Sequence, residues 1–251
     1  MNHSVFSQYL LHLADSQLIL SHRLSEWCGH APELELDIAI ANIGLDLLGQ
    51  ARTLLSLAGE MEGLGRNEDQ LAFYRTEREY RNLLLCEQPN GDFAQTIVRQ
   101  WLMDHYHHLL FEALTQSSNA ELRAFAVKSL REVKYHLRFS KAWMERLSLG
   151  TTEAHEKTQA GLTELWRFTE ELFELSADEQ QLVEEGVIPN VSLLKAQWTE
   201  LVNADVAHFG LQIPELGAYR RGAKQGLHTE HLGFVLAEMQ YMQRSFPNMN
   251  W

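Results

Sequence analysis

The stretch "ELELDIAIANIGLDLLGQARTLLSLAG", residues 33–59, is read as a helix from the spacing of its apolar side chains. Leu36, Ile40, Ile43, Leu47 and Leu54 recur at steps that keep them on one helical face. A second set, Leu34, Ile38, Ala41, Leu45, Leu48 and Leu55, runs along another face of the same helix. A helix that is apolar on nearly all sides is expected to lie at the centre of a bundle, with neighbours around it. The stretch therefore predicts an all-α fold.

The same period extends in both directions. Phe6, Leu10, Leu13, Leu20, Leu24 and Trp27 form one stripe, and "CGHAP" (28–32) stops that helix at Gly29 and restarts the chain at Pro32. Further helices are expected over 68–87, 92–116, 120–148, 152–175, 191–208 and 227–246. Polar or Gly/Pro-rich connections separate them: "EQPNGD" (87–92), "TQSSNA" (115–120) and "FGLQIPELGAYRRGAKQG" (209–226). Strand-like alternation is scarce, and no repeat or low-complexity linker occurs. One all-α domain over 1–251, a bundle with extra helices, is the simplest expectation.

Composition narrows the function. Apolar residues make up 45% of the chain, enough for a packed core. The formal net charge of −13 argues against nucleic-acid binding, which needs a basic surface. Two cysteines, Cys28 and Cys86, stand far apart, which fits neither a disulfide framework nor a zinc ribbon. The N-terminal stretch has no basic region ahead of its apolar run, and Asp15 interrupts that run, so no signal peptide is expected. No run approaches the ~18 apolar residues that span a bilayer. A soluble, cytoplasmic protein without a membrane partner is expected.

Polar residues inside apolar helix faces are where chemistry is sought. A di-iron bundle takes a Glu from each of two helices and a Glu-x-x-His from each of the other two, because two irons about 4 Å apart need several anionic oxygens and two imidazoles. The first helix offers Asp15. The second offers Asp46, but the position of its ligand His is Gly49, followed by Gln50. Asp104 and His107 have the right spacing on a helix expected to give a lone carboxylate. In "REVKYHLRFS" (131–140), Glu132 is followed by Tyr135 at the ligand position and by His136 one residue later, a rotation of ~100°. The ligand set is thus degenerate. Glu132 and His136 read equally as a pair on a solvated face flanked by Arg131, Lys134 and Arg138. A carboxylate on an all-apolar helix needs a partner, so Asp46 is expected to be paired with a basic side chain.

A second candidate is "YRTEREYRN" (74–82), where Arg75, Arg78 and Arg81 would line one helical face. Such a strip could meet phosphates of a small molecule or an acidic protein surface, or pair internally with Glu77 and Glu79. "YRRGAKQG" (219–226) is a basic loop. No P-loop, GxGxxG, GxSxG or Cys–His nucleophile is found.

The stretches "RLSEWCGHAPELELDIAIANIGLDLLGQAR" (23–52), "LLLCEQPNGDFAQTI" (83–97), "VKYHLRFSKAWMERL" (133–147), "LWRFTEELF" (165–173) and "GLHTEHLGFVLAEMQYMQR" (226–244) closely resemble the C-subunit family of the multicomponent phenylacetyl-CoA 1,2-epoxidases. The resemblance implies a ferritin-like four-helix bundle core with additional helices. It implies a cytoplasmic oxygenase complex that epoxidises the ring of phenylacetyl-CoA in aerobic phenylacetate degradation. In that family a related A subunit holds the di-iron centre and binds substrate, a small B subunit and a reductase complete the system, and the C subunit is a structural partner. No catalytic residue, metal or cofactor is then expected in this chain, and Asp15, Asp46, Gly49, Asp104, Glu132 and His136 are expected to be remnants. Since the CoA phosphates must lie outside the A subunit's pocket, Arg78, Glu79, Tyr80, Arg81 and Asn82 become candidate substrate contacts. The alternatives are a self-sufficient di-iron oxygenase using Asp15, Asp46, Asp104, Glu132 and His136, and a stand-alone helical binding module.

Overall fold

The computed structural model describes residues 3–215, 217–247 and 249. Among them are α-helices and short 3-10 turns, and no strand. The helices are α1 (His3–Ser25), α2 (Leu34–Glu62), α3 (Glu68–Phe73), α4 (Leu84–Glu87), α5 (Phe93–Leu114), α6 (Ala120–Ser148), α7 (Thr152–Leu165), α8 (Gln180–Glu184), α9 (Leu194–His208) and α10 (Glu230–Ser245). The chain forms two compact units, one of Met1–Pro89 with Arg221–Trp251 and one of Asn90–Arg220.

In the first unit α1 and α2 run antiparallel. The hydroxyl of Ser7 donates to the Ala58 carbonyl at 3.1 Å and that of Ser21 to the Gly44 carbonyl at 2.7 Å, which fixes the register of the pair. Phe6, Leu10, Ile19 and Leu20 of α1 meet Ile40, Ile43, Leu47 and Leu54 of α2 in the core. The second stripe of α2 is not covered: Leu34, Ile38, Leu45 and Leu48 are 72%, 54%, 64% and 41% exposed, and only Leu55 at its far end is buried. The expectation of a helix buried on all sides is therefore corrected.

The expected helix over 68–87 is also broken. An Asn67–Gln70 capping box opens α3, which ends at Phe73. A 3-10 turn follows at Glu77–Glu79, capped by Thr76, and then an extended run leads to α4. The break has a physical cause. Arg75 turns inward to Asp15, and the segment after it runs beside α1, where the Leu83 amide donates to the Ser16 hydroxyl at 3.0 Å. From the other side α10 holds the break in place. Gln240 donates to the Ala72 and Arg75 carbonyls, both at 3.0 Å, and Arg244 to those of Phe73 and Arg75 at 3.1 and 3.0 Å.

In the second unit α5 and α6 are antiparallel, with Phe93 against Trp143 at one end and Phe111 against Phe125 at the other. Asp92, Asn119 and Thr151 cap α5, α6 and α7 through their side-chain oxygens, as short polar residues do at helix starts. The expected helix 152–175 stops at Leu165 and continues as 3-10 turns at Trp166–Phe168 and Glu170–Phe173. There the Thr169 hydroxyl donates to the Trp166 carbonyl at 2.8 Å, competing with an α-helical continuation.

Candidate functional site

Asp15 is a fully enclosed carboxylate of the first unit. It is 0% exposed and lies on α1 among apolar side chains. Arg75, itself 2% exposed, grips it with both terminal nitrogens: Nη1 donates to Oδ2 at 2.9 Å and Nη2 donates to Oδ1. The Arg81 backbone amide adds a third bond, to Oδ2 at 2.8 Å. The guanidinium also donates to the Leu71 and Glu79 carbonyls and lies over the Tyr80 ring, 4.4 Å from its centroid. Charge, hydrogen bonds and stacking thus neutralise one buried ion pair, as such a pair requires.

Asp46 does not hold the corresponding place on α2. It is half-buried, because the face that carries it is the open one. The expectation that Asp46 would be enclosed on an all-apolar helix is corrected: the carboxylate that the first unit buries from α1 is Asp15. Gly49, where a ligand His would stand, is exposed, and a Cβ built there would meet nothing within 4 Å.

The second unit gathers Asp104, His107 and His136, all 0–1% exposed, between α5 and α6. Asp104 accepts from Gln100 Nε2 and from the Ser140 hydroxyl, both at 2.7 Å. Burial pushes its carboxyl up to about 6, against the opposing pull of His136 and these two donors. Burial pushes His107 down to about 3, and His136 acts in the same direction. The His107 ring stacks on Phe111, with centroids 5.5 Å apart. Glu132 is half-buried, and Tyr135, 40% exposed, turns its ring toward Arg138. The sequence did not signal the neighbouring centre at Asp205, which accepts from His105 Nε2 at 3.0 Å, from Trp101 Nε1 at 3.3 Å and from Lys141.

Within each unit, the residues that a di-iron plan would use do not present an open ligand set. Both oxygens of Asp15 already face cationic or amide donors, so an iron ion there would have to displace a guanidinium. Gly49 brings no donor, Tyr135 stands 40% exposed under Arg138, and Asp104 already accepts from Gln100 and Ser140. Among the described residues no group of three His, Cys, Asp or Glu side chains is placed to hold a metal ion.

The basic strip is rearranged too. Arg75 is an interior residue, so Arg75, Arg78 and Arg81 do not share a face. Arg78 and Glu79 are exposed, Arg81 is half-buried, and Tyr80 and Asn82 are buried. Glu79 caps Thr76 through its carboxylate, Tyr80 donates its hydroxyl to the Ala72 carbonyl, and Asn82 Nδ2 donates to Glu87 at 2.8 Å. Of the five candidates, Arg78 and Arg81 carry cations at the surface. The basic loop 219–226 ends against them. Gly226, at φ +68°, lies so close that a Cβ would sit 2.2 Å from the Arg78 carbonyl oxygen and 2.7 Å from Arg81 Nη1, so only glycine fits.

Beneath this patch Glu87, 0% exposed, ties α10 to the strip. Its Oε1 accepts from the Thr229 amide at 2.6 Å and hydroxyl at 2.7 Å, and its Oε2 from Asn82 and from His228 Nδ1 at 2.8 Å. The other ring nitrogen of His228 lies 3.0 Å from the Tyr80 carbonyl oxygen. Both nitrogens face acceptors, an arrangement that favours the charged imidazolium form of His228. Burial opposes that charge, but the bond to Glu87 outweighs it and the pKa is raised.

The family model described as phenylacetic acid catabolic protein matches residues 2–251. The C subunit of the 1,2-phenylacetyl-CoA epoxidase of Escherichia coli (strain K12) is 53% identical over 243 residues, covering 97% of this chain and 98% of that one. No helix among the described residues is long and apolar enough to cross a membrane.

Proposed function

This chain belongs to the phenylacetic acid catabolic family, whose all-helical, ferritin-like fold class it shares, and from that premise we propose that it is a non-catalytic, structural subunit of a phenylacetyl-CoA epoxidase complex. It pairs with a di-iron A subunit that carries the oxygen chemistry, in a cytoplasmic assembly with a small B subunit and a reductase. It holds no cofactor of its own. One observation carries this reading: Arg75 saturates Asp15, the carboxylate of α1 that a di-iron plan would use. An enzyme needs its ligands open to metal, whereas a subunit that only supports a homologue gains stability from closing them.

The test is a titration of the chain with the A subunit, followed by size exclusion and iron analysis. One co-eluting species is expected at micromolar concentration, with iron following the A subunit. The chain alone, incubated with Fe(II), is expected to hold far less than stoichiometric iron. Two independent peaks would end the subunit reading. Stoichiometric iron lost on Asp46→Ala or Glu132→Ala would favour a self-sufficient di-iron oxygenase.

The CoA ester is the substrate of the complex, and Arg78 and Arg81 supply cations for its phosphates. Replacing both with Ala is expected to raise KM for the CoA ester roughly tenfold with assembly intact, the size of one lost charge-assisted contact. Lys at both positions should recover much of the loss. An unchanged KM would make the patch structural.

A further inference from the structure

We infer that the outer face of α2 is the docking seam for a partner helix whose apolar stripe is flanked by Lys and Arg. Leu34, Ile38, Ala41, Leu45 and Leu48 follow one another at alternating steps of four and three. That is the spacing of a helix–helix seam, and it extends over ~21 Å at 1.5 Å per residue. The leucines and the isoleucine of this row are 41–72% exposed, while the stripe on the α1 side of the same helix is at most 5% exposed. A solvated helix face has no use for such a row, and contiguous apolar surface of this kind marks an interface.

The flanks say what kind of helix fits. Glu33 and Glu35 are exposed, and Asp37 and Asp46 are half-buried beside the row. No Lys or Arg occurs between Arg23 and Arg52. Two copies of this face would bring carboxylates against carboxylates, so a second copy of the chain is disfavoured. A partner with a basic rim meets both the apolar row and its charge. Gly49, which a di-iron plan would need as histidine, ends the row with no side chain and lets a partner backbone come close. The inference rests on the subunit reading above and gives it a surface, with the A subunit as the chain that presents the matching helix.

The test uses the full chain with Ile38→Glu and Leu45→Glu together. Both positions are exposed, so helix content and Tm are expected to stay at wild-type values while Kd for the A subunit rises at least ~100-fold, since two carboxylates would enter an apolar seam. A second variant, Glu33→Lys/Glu35→Lys/Asp37→Lys, is expected to weaken the complex roughly tenfold and to reverse its salt dependence. Wild-type Kd for the first variant would overturn the seam and leave the subunit reading standing. A wild-type chain that dimerises alone, and becomes monomeric on Ile38→Glu/Leu45→Glu, would overturn the basic partner in favour of a second copy. A wild-type chain that never binds the A subunit would overturn both readings.

Discussion

Replacing Asp15 with Ala will destabilise the protein by about 3–5 kcal/mol, the cost of stranding a buried charge. The variant leaves Arg75, 2% exposed, with a guanidinium that water cannot reach, and it removes the acceptor of the Arg81 amide. Urea unfolding of the single variant, of Arg75→Met and of the double variant Asp15→Leu/Arg75→Met measures the effect. Each single change strands one charge, whereas the double change removes both, so the double variant should be more stable than Asp15→Ala. A loss below ~1 kcal/mol for Asp15→Ala would show that the pair does not hold the α1–α3 junction together.

A second large effect concerns pH in the α5–α6 pair. Asp104 titrates near 3.8 in an unfolded chain and about 6 here. Between those values the folded state keeps a proton that the unfolded state releases, so this contribution to stability falls as pH rises. His107 moves the other way, from 6.5 to about 3. Over that range the unfolded state holds the extra proton, so its contribution is full above the ordinary value and is lost as pH falls. The two slopes oppose each other between about pH 4 and 6, each near 1.4 kcal/mol per pH unit, and largely cancel. Removing one partner unmasks the other. Measured against wild type, His107→Phe is expected to lose about 2–3 kcal/mol as pH rises from about 4 to 6, and Asp104→Asn to gain a similar amount. Parallel stability curves for the two variants would show that neither group is shifted as described.

The sequence carried most of the helix positions because spacing encodes a face. It did not carry what lies against a face. The two stripes of α2 are alike in composition, yet Leu36, Ile40 and Ile43 touch the core while Leu34, Ile38 and Leu45 meet solvent. Asp46 therefore looked buried by association with its neighbours. Asp15 looked like one polar interruption in an apolar run, and its partner lies 60 residues away. The break at Tyr74–Thr76 comes from a tertiary ion pair, Arg75 with Asp15, and the stop after Leu165 goes with a local bond, Thr169 to the Trp166 carbonyl; neither stretch holds a Pro or Gly to announce it. In the basic strip, spacing by three suggested a shared helical face, but one arginine was drawn inside and the helix ended there. The degenerate ligand positions were legible because a missing side chain, as at Gly49, is a local fact.

The clasp on Glu87 sets an order on the ribosome. Its partners His228 and Thr229 lie 141 and 142 residues downstream, beyond the whole of the second unit. When residues 1–89 leave the exit tunnel, the carboxylate of Glu87 and the carbonyls of Ala72, Phe73 and Arg75 still lack the donors that α10 will bring. At roughly 5–20 residues per second, the intervening segment takes on the order of 10 s to make. The second unit is local in sequence and can close during that time, while the first waits half-built. The nascent chain should therefore be most open to proteases and chaperones while its middle is being translated, and its N-terminal helices should become protected only after residues 221–251 emerge.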